Sequence, residues 1–279
     1  IYRASTLKKN TTVWSLRRGR GEMERTDVWS FGGGTQSIAI AVLVAQKRLP
    51  MPKHVIFADT GREASETMEY FHANVEPIFN EIGLTLEIAS HDLATVDLYS
   101  KKGELVIPAF TENGALKTFC SNEWKRRVIG RYLRSLGYGP NNPCRTWIGI
   151  SVNEIGRAKE SGLAWNENYY PLLFGVTMSR ADCRQLIFDY GLPEPPKSSC
   201  WMCPYRRDAQ WRRLKEFYPA DFERACLLDE EIRAKDRSNG VYLHDSRTPL
   251  REVDFSEKET AQTSLFGDVK HCDSGLCWS

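Results

Sequence analysis

The chain has 279 residues, 41% hydrophobic and 27% charged, the balance of an ordinary globular protein with room for one large domain and an appendage. Its 38 basic and 36 acidic residues leave a net charge of +2, so bulk charge does not mark a nucleic-acid binder. No apolar run approaches the roughly 18–20 residues of a membrane span, and the eight cysteines are too sparse and uneven for a secreted disulfide scaffold. The start lacks the apolar core of a signal peptide, so a cytoplasmic protein with no membrane partner is expected.

Residues 1–26 carry Arg3, Lys8, Lys9, Arg17, Arg18 and Arg20 and read as a basic extension. Val28 to Phe31 reads as a short buried strand, broken by Gly32, Gly33 and Gly34. Thr35 to Gln46 reads as a helix that is apolar on most faces. His54 to Ala58 is a second strand, ended by Asp59-Thr60-Gly61. Glu63 to Ile82 is a long helix with Met68, Tyr70, Phe71, Val75, Ile78 and Phe79 on its stripe. Leu84 to Ala89 and Trp147 to Val152 read as third and fourth strands. Strands alternating with helices predict a doubly wound α/β fold with a parallel sheet over residues 27–175. Residues 176–258 read as a smaller helical unit, with helices at 180–190, 208–217 and 220–235 around a loop that carries Cys200 and Cys203. Residues 259–279 are polar and read as a mobile tail that holds Cys272 and Cys277.

Three groups of residues carry chemistry. Ser30, Gly32, Gly33, Gly34, Thr35, Gln36 and Ser37 lie where a strand passes through glycines into a helix. Unpaired N–H groups at a helix N-terminus bind anions, and glycines let backbone approach a phosphate. Asp59 and Thr60, at the end of the second strand, fall at the edge where open α/β sheets bind ligands; Asp59 reads equally as a helix N-cap. Cys200-x-x-Cys203 can reach one metal from a turn, or act as a redox dithiol, or be two buried thiols. Cys120 and Cys183 are further candidate ligands, although a cysteine on an amphipathic helix is often simply buried. Lys125, Arg126, Arg127, Arg131, Arg157, Arg180, Lys197, Arg206 and Arg207 are the cations available to phosphate or sulfate.

The loop resembles the PP-loop, Ser-Gly-Gly-x-Asp-Ser. Gly32 stands for the first Ser, Gly33 and Gly34 match, Ser37 matches the last Ser, and Gln36 replaces the Asp. Ser30-Phe31-Gly32 with Gln36 is also similar to the loop of sulfonucleotide reductases. Phe57 to Gly61 with Glu63, Glu66 and Thr67, Met178 to Cys183, and Pro196 to Pro204 resemble a phosphoadenosine phosphosulfate reductase-like branch of that adenine nucleotide alpha-hydrolase superfamily. The resemblance implies a PP-loop or HUP-like fold and an adenine nucleotide, ATP with Mg²⁺ or a phosphosulfate nucleotide. It implies nucleotide contacts from Lys197 and Arg157 and a catalytic role for Lys125. It further implies a 4Fe–4S cluster on Cys120, Cys183, Cys200 and Cys203, with zinc as the alternative, and a tail nucleophile, Cys277, resolved by Cys272. A tail disulfide, a metal clip or idle thiols remain open for that pair. Three functions follow from the resemblance. One is a sulfonucleotide reductase with a thioredoxin-like reductant. Another is an ATP pyrophosphatase-type sulfurtransferase acting on nucleic acid, in tRNA thiolation or DNA phosphorothioation, with a cysteine desulfurase as partner. The third is a nucleotide sensor without chemistry.

Overall fold

The computed structural model describes residues 24–90, 98–116, 119–236 and 240–256. In chain order the elements are β1 (Thr26–Ser30), α1 (Thr35–Ala45), β2 (His54–Asp59), α2 (Ser65–Tyr70), α3 (Glu76–Ile82) and β3 (Leu86–Ser90). A hairpin of β4 (Phe110–Thr111) and β5 (Gly114–Ala115) follows, then α4 (Arg127–Ser135), β6 (Cys144–Ile148) and β7 (Asn166–Tyr169). Three helices complete the order: α5 (Arg180–Asp189), α6 (Asp208–Phe217) and α7 (Pro219–Lys235). A π-helical turn, Phe71–Val75, joins α2 to α3, so the long helix expected from Glu63 forms with one widened turn in its middle. Among the described residues no helix is long and apolar enough to cross a membrane.

Five strands form one parallel sheet in the order β3-β2-β1-β6-β7. The chain runs outward from β1 through β2 to β3, then returns to the other side of β1 for β6 and β7. The fold is therefore a doubly wound α/β sheet, and its topological switch lies between β1 and β6. A crevice opens there at the carboxyl ends of the strands. The register of this central pair is fixed at its start. Asp27 accepts two bonds from the Arg145 guanidinium, at 2.6 and 2.8 Å, and one from Trp147 Nε1 at 2.9 Å.

Both faces of the sheet are covered, which is why β1 is apolar without alternation. Trp29 packs on one face with α1, α3 and α5, while Val28 meets α4 on the other. Ile38 to Leu43 have no exposed surface at all, in keeping with the unbroken apolar run of α1. A second core joins α6 and α7 to Val106, Ile107, Trp124 and Ala64, with Cys120 and Cys200 packed against it.

Three features differ from the sequence reading. The fifth strand, β7, was not expected, because Asn-Glu-Asn-Tyr carries no apolar alternation. Its Asn166 is nonetheless buried, and its side-chain oxygen accepts from the Thr146 hydroxyl at 2.7 Å and the Cys144 thiol at 3.4 Å. β6 starts three residues earlier than expected and stops at Ile148. There Gly149 passes so close to α1 that an added Cβ would lie 3.3 Å from the Ser37 nitrogen. α5, assigned from sequence to the helical unit, packs on α1, and its Cys183 and Ile187 belong to the core of the sheet.

Candidate nucleotide and thiol site

The glycine loop leaves β1 at the switch point. Phe31 still donates to Ile56 at 2.9 Å, and Gly34 then ends the loop as the residue before α1. No side chain caps this helix and no acid lies in its first turn, so its first N–H groups and positive dipole end are available to an anion. Gly33 has φ 68°, the left-handed region, and an added Cβ there would meet Thr67 Cγ2 at 3.0 Å. Ser37 turns back on the loop and its hydroxyl accepts from the Gly32 N–H at 3.0 Å.

A cavity of about 190 Å³ opens in front of this loop. Ser30, Gly32, Gly34, Thr35, Gln36 and Ser37 line it, together with Lys125, Arg157, Arg180, Lys197, Cys120, Cys200 and Cys203. The structure thus brings the glycine loop, three thiols and four of the candidate cations, Arg180 being the fourth, to one space. Four polar atoms in that wall are buried without a hydrogen-bond partner: Ser30 Oγ, Ser121 Oγ, Ser199 Oγ and Arg157 Nε. Buried polar atoms are nearly always paired, so such a group marks where a ligand's polar atoms belong.

The thiols arrive from two directions. The Cys200 loop pairs with the segment after β2: Glu63 and Cys200 form an antiparallel bridge, and Trp201 donates to Arg62 at 2.9 Å. Cys203 donates to the Cys200 carbonyl at 3.0 Å, closing the CxxC turn. Cys120 comes from the other side, its N–H on Val106 at 3.0 Å. Burial pushes the Cys200 thiol up to about 12. Glu63 adds to the rise, Lys125 opposes it, and Cys203 and Cys120 add further. The Arg206 guanidinium donates to the Cys200 carbonyl at 3.2 Å. Burial lowers its pKa against the pull of Cys203 and Cys200. A negative sulfur-rich group would find its countercharges in Arg206, Arg62 and Lys125.

Three cysteine thiols facing one cavity are soft donors of the kind that hold an iron–sulfur cluster or zinc. Among the described residues, the group of three or more His, Cys, Asp or Glu ligand atoms lying within 4.8 Å of one another is Asp208, His244 and Asp245. The three thiols are spread more widely than that. Tetrahedral zinc, with Zn–S near 2.3 Å, needs sulfurs only about 3.8 Å apart.

Cys183 is not brought to the other three. It has no exposed surface and packs in the sheet core. Burial raises its thiol to about 12, with Asp182 and Glu154 adding and Arg180 opposing. The sequence placed it as a ligand, and the helix that carries it turns it toward α1 instead. Asp59 accepts from the Gly61 N–H at 2.7 Å and closes that turn; it caps no helix, since Ala64 precedes α2. Thr60 is fully buried. Its hydroxyl accepts from the Arg62 N–H at 3.2 Å, donates to Glu63 at 3.3 Å and lies 3.9 Å from Cys200 Sγ. Lys197 donates to the Tyr205 carbonyl at 2.8 Å, holding the proline-rich loop to the start of α6. Cys272 and Cys277 lie outside the described residues.

Four contributors were given no role by the sequence reading. Glu63 is 3.2 Å from Lys125 Nζ and fixes that cation beside Cys200. The Ser198 hydroxyl donates to the Gly32 carbonyl, tying the cysteine loop to the glycine loop. Glu154 accepts from Gln36 at 2.9 Å and forms an ion pair with Arg157 at 3.1 Å. Ser199 adds one of the unpartnered hydroxyls. Each stands within a few residues of a chosen motif, the only signal available. A larger cavity of about 530 Å³ adjoins the first and shares Ser30, Ile129, Ile148, Ile150 and Arg157 with it. Its wall also carries Arg126, Arg127, Arg131, Arg134 and Lys159.

No protein-family model matches the chain, and no curated protein matches it. Solved structures similar to it at low sequence identity include two enzymes. One is a phosphoadenylyl-sulfate reductase from Candida auris in complex with phosphate, 12% identical, with a TM-score of 0.41 over 64% of this chain and 83% of that one. The chain is likewise similar to a U34-tRNA thiolase from Methanococcus maripaludis with its 4Fe–4S cluster, 13% identical, with a TM-score of 0.42 over 72% of this chain and 69% of the thiolase.

Proposed function

We propose that this chain is an enzyme of the PP-loop superfamily that handles an adenine nucleotide in sulfur chemistry beside a 4Fe–4S cluster. The observation that carries the reading is the single cavity walled by the glycine loop and by Cys120, Cys200 and Cys203. In this reading the nucleotide's phosphates lie against the N–H groups of α1. The three cysteines would hold the cluster, which would supply a place to carry sulfur or tune the charge of the site. Lys125, held by Glu63, and Arg157 stabilise negative charge that builds on the departing phosphate.

The finer reading favoured here is a sulfonucleotide reductase. Glu154 is the one carboxylate in the described wall of the loop cavity, and Gln36 and Arg157 both bind it. A wall so arranged suits a phosphosulfate nucleotide that needs no Mg²⁺. The Cys277 thiolate would attack the sulfur of the phosphosulfate. A sulfur–sulfur bond forms, the sulfur–oxygen bond to phosphate breaks, and the nucleoside phosphate leaves with the electron pair. The Cys272 thiol would then displace sulfite, leaving a disulfide for a dithiol reductant to reopen. One observation favours the second reading, an ATP-dependent sulfurtransferase: the adjoining cavity is strongly basic, as an anionic second substrate such as a nucleic acid requires.

The test is anaerobic purification followed by nucleotide mixing. The protein should be brown and contain iron and acid-labile sulfide. Adenosine 5′-phosphosulfate or its 3′-phosphorylated form should label Cys277 by intact mass without Mg²⁺. ATP split to AMP and pyrophosphate in the presence of nucleic acid, with no labelled cysteine, selects the sulfurtransferase. Stoichiometric zinc without sulfide removes the cluster from either reading. Binding of nucleotide without any turnover leaves the sensor.

A further inference from the structure

We infer that Glu154 is a positioning residue for Arg157, and through Arg157 for the phosphate of the bound nucleotide. The inference rests on the nucleotide reading above. Glu154 lies in the 3₁₀ segment Val152–Arg157 that follows β6, and only 8% of it is exposed. A buried carboxylate persists only where partners satisfy it. Here one oxygen, Oε2, accepts from Gln36 Nε2 at 2.9 Å and faces Arg157 Nη1 at 3.1 Å. The ion pair engages the guanidinium through one terminal nitrogen. Its Nε remains buried and unpartnered, and Arg157 stands in the wall shared by the two cavities. Ser30 Oγ, also unpartnered, lies in that same shared wall. An anionic oxygen seated at the N-terminus of α1 would satisfy both atoms. The guanidinium would supply the charge-assisted bond.

The same geometry accounts for the amide at position 36. An acid there would stand at hydrogen-bond distance from Glu154, and two carboxylates so close cannot both remain ionised. Positions 36 and 154 thus share a single negative charge.

The experiment measures dissociation constants of ATP and of adenosine 5′-phosphosulfate, with and without Mg²⁺, by titration calorimetry. The proteins compared are the full chain, Glu154→Gln, Gln36→Glu and the double exchange. Either single change should weaken binding about tenfold or more, the usual worth of a charged hydrogen bond. The double exchange restores one amide and one carboxylate and should recover affinity to within about threefold. Recovery is what a merely structural role would not produce. If Glu154→Gln does not fold, Arg157→Lys keeps the charge but loses the planar fork, and it too should lose about tenfold. Singles that bind like the unaltered chain, an unaffected Arg157→Lys, or a double variant as weak as its weaker parent would each overturn the assignment alone. An unaltered chain that binds neither nucleotide would overturn the nucleotide reading and this assignment with it.

Discussion

Gly33 carries the strictest single-residue demand in the site. Its φ of 68° disfavours any side chain, and the Thr67 methyl lies 3.0 Å from where a Cβ would sit. Gly33→Val should abolish nucleotide binding while the sheet persists, as read by calorimetry beside circular dichroism. Unchanged affinity would reduce the loop to a turn. The cysteines divide in the same way. Alanine at Cys120, Cys200 or Cys203 should remove iron and sulfide from anaerobic protein, whereas Cys183→Ala should retain both. Iron lost equally from all four variants would restore Cys183 to the ligand set. Residues of this kind were legible in sequence to different degrees. A glycine triplet and a CxxC pair advertise themselves because few other arrangements use them. Glu154 does not, being one of 36 acidic residues whose role appears only when Gln36, 118 positions away, is folded against it.

The elements repeat that contrast. β1, α1 and β2 were visible because each is buried on nearly all sides and so reads as an apolar run. β7 was hidden because its inward contacts are hydrogen bonds from Thr146 and Cys144 rather than hydrophobic packing. The hairpin of β4 and β5 is two residues a strand, too short for a period to register. α5 begins with a capping box, the Ser179 hydroxyl accepting from Asp182 N–H at 3.1 Å and Asp182 from Ser179 N–H at 2.8 Å. Ser179→Ala should cost about 1 kcal/mol in denaturant unfolding. α7 holds a heavier anchor. Asp229, without exposed surface, accepts from the N–H groups of Leu243 at 2.9 Å and Leu250 at 3.1 Å and from Arg233 at 3.0 Å. It fastens residues 240–252 to the helix. Asp229→Ala strands these donors and should cost roughly 3–5 kcal/mol; a loss below about 1 kcal/mol would show that the segment is held by packing alone.

Across the whole molecule, buried thiols make the fold sensitive to alkali. Burial lifts Cys183 from an ordinary 9.0 to about 12, and Cys144 and Cys226 to about 11. Below pH 9 these thiols are neutral in folded and unfolded chains alike, and their contribution is intact. As pH rises from 9 toward 12, the unfolded chain ionises first, so stability falls, by roughly 1.4 kcal/mol for each pH unit and each thiol across its window. Urea midpoints at pH 8 and pH 10.5 should show this loss, and Cys183→Ala should show less of it; an equal loss would place the sensitivity elsewhere. The site itself draws on segments near residues 30, 63, 120, 154 and 200, so it exists only when the topology is complete. Within it, the hydroxyl of Ser198 rests on the carbonyl of Gly32, a hydrogen bond that joins the loop of thiols to the loop of glycines. Two sites so joined obey reciprocity: if a filled thiol site tightens nucleotide binding by some factor, bound nucleotide must tighten the equilibrium binding of the thiol site's occupant by the same factor. Cutting the link with Ser198→Ala should bring that factor toward one in both directions, leaving two independent sites in place of a single thermodynamic cycle.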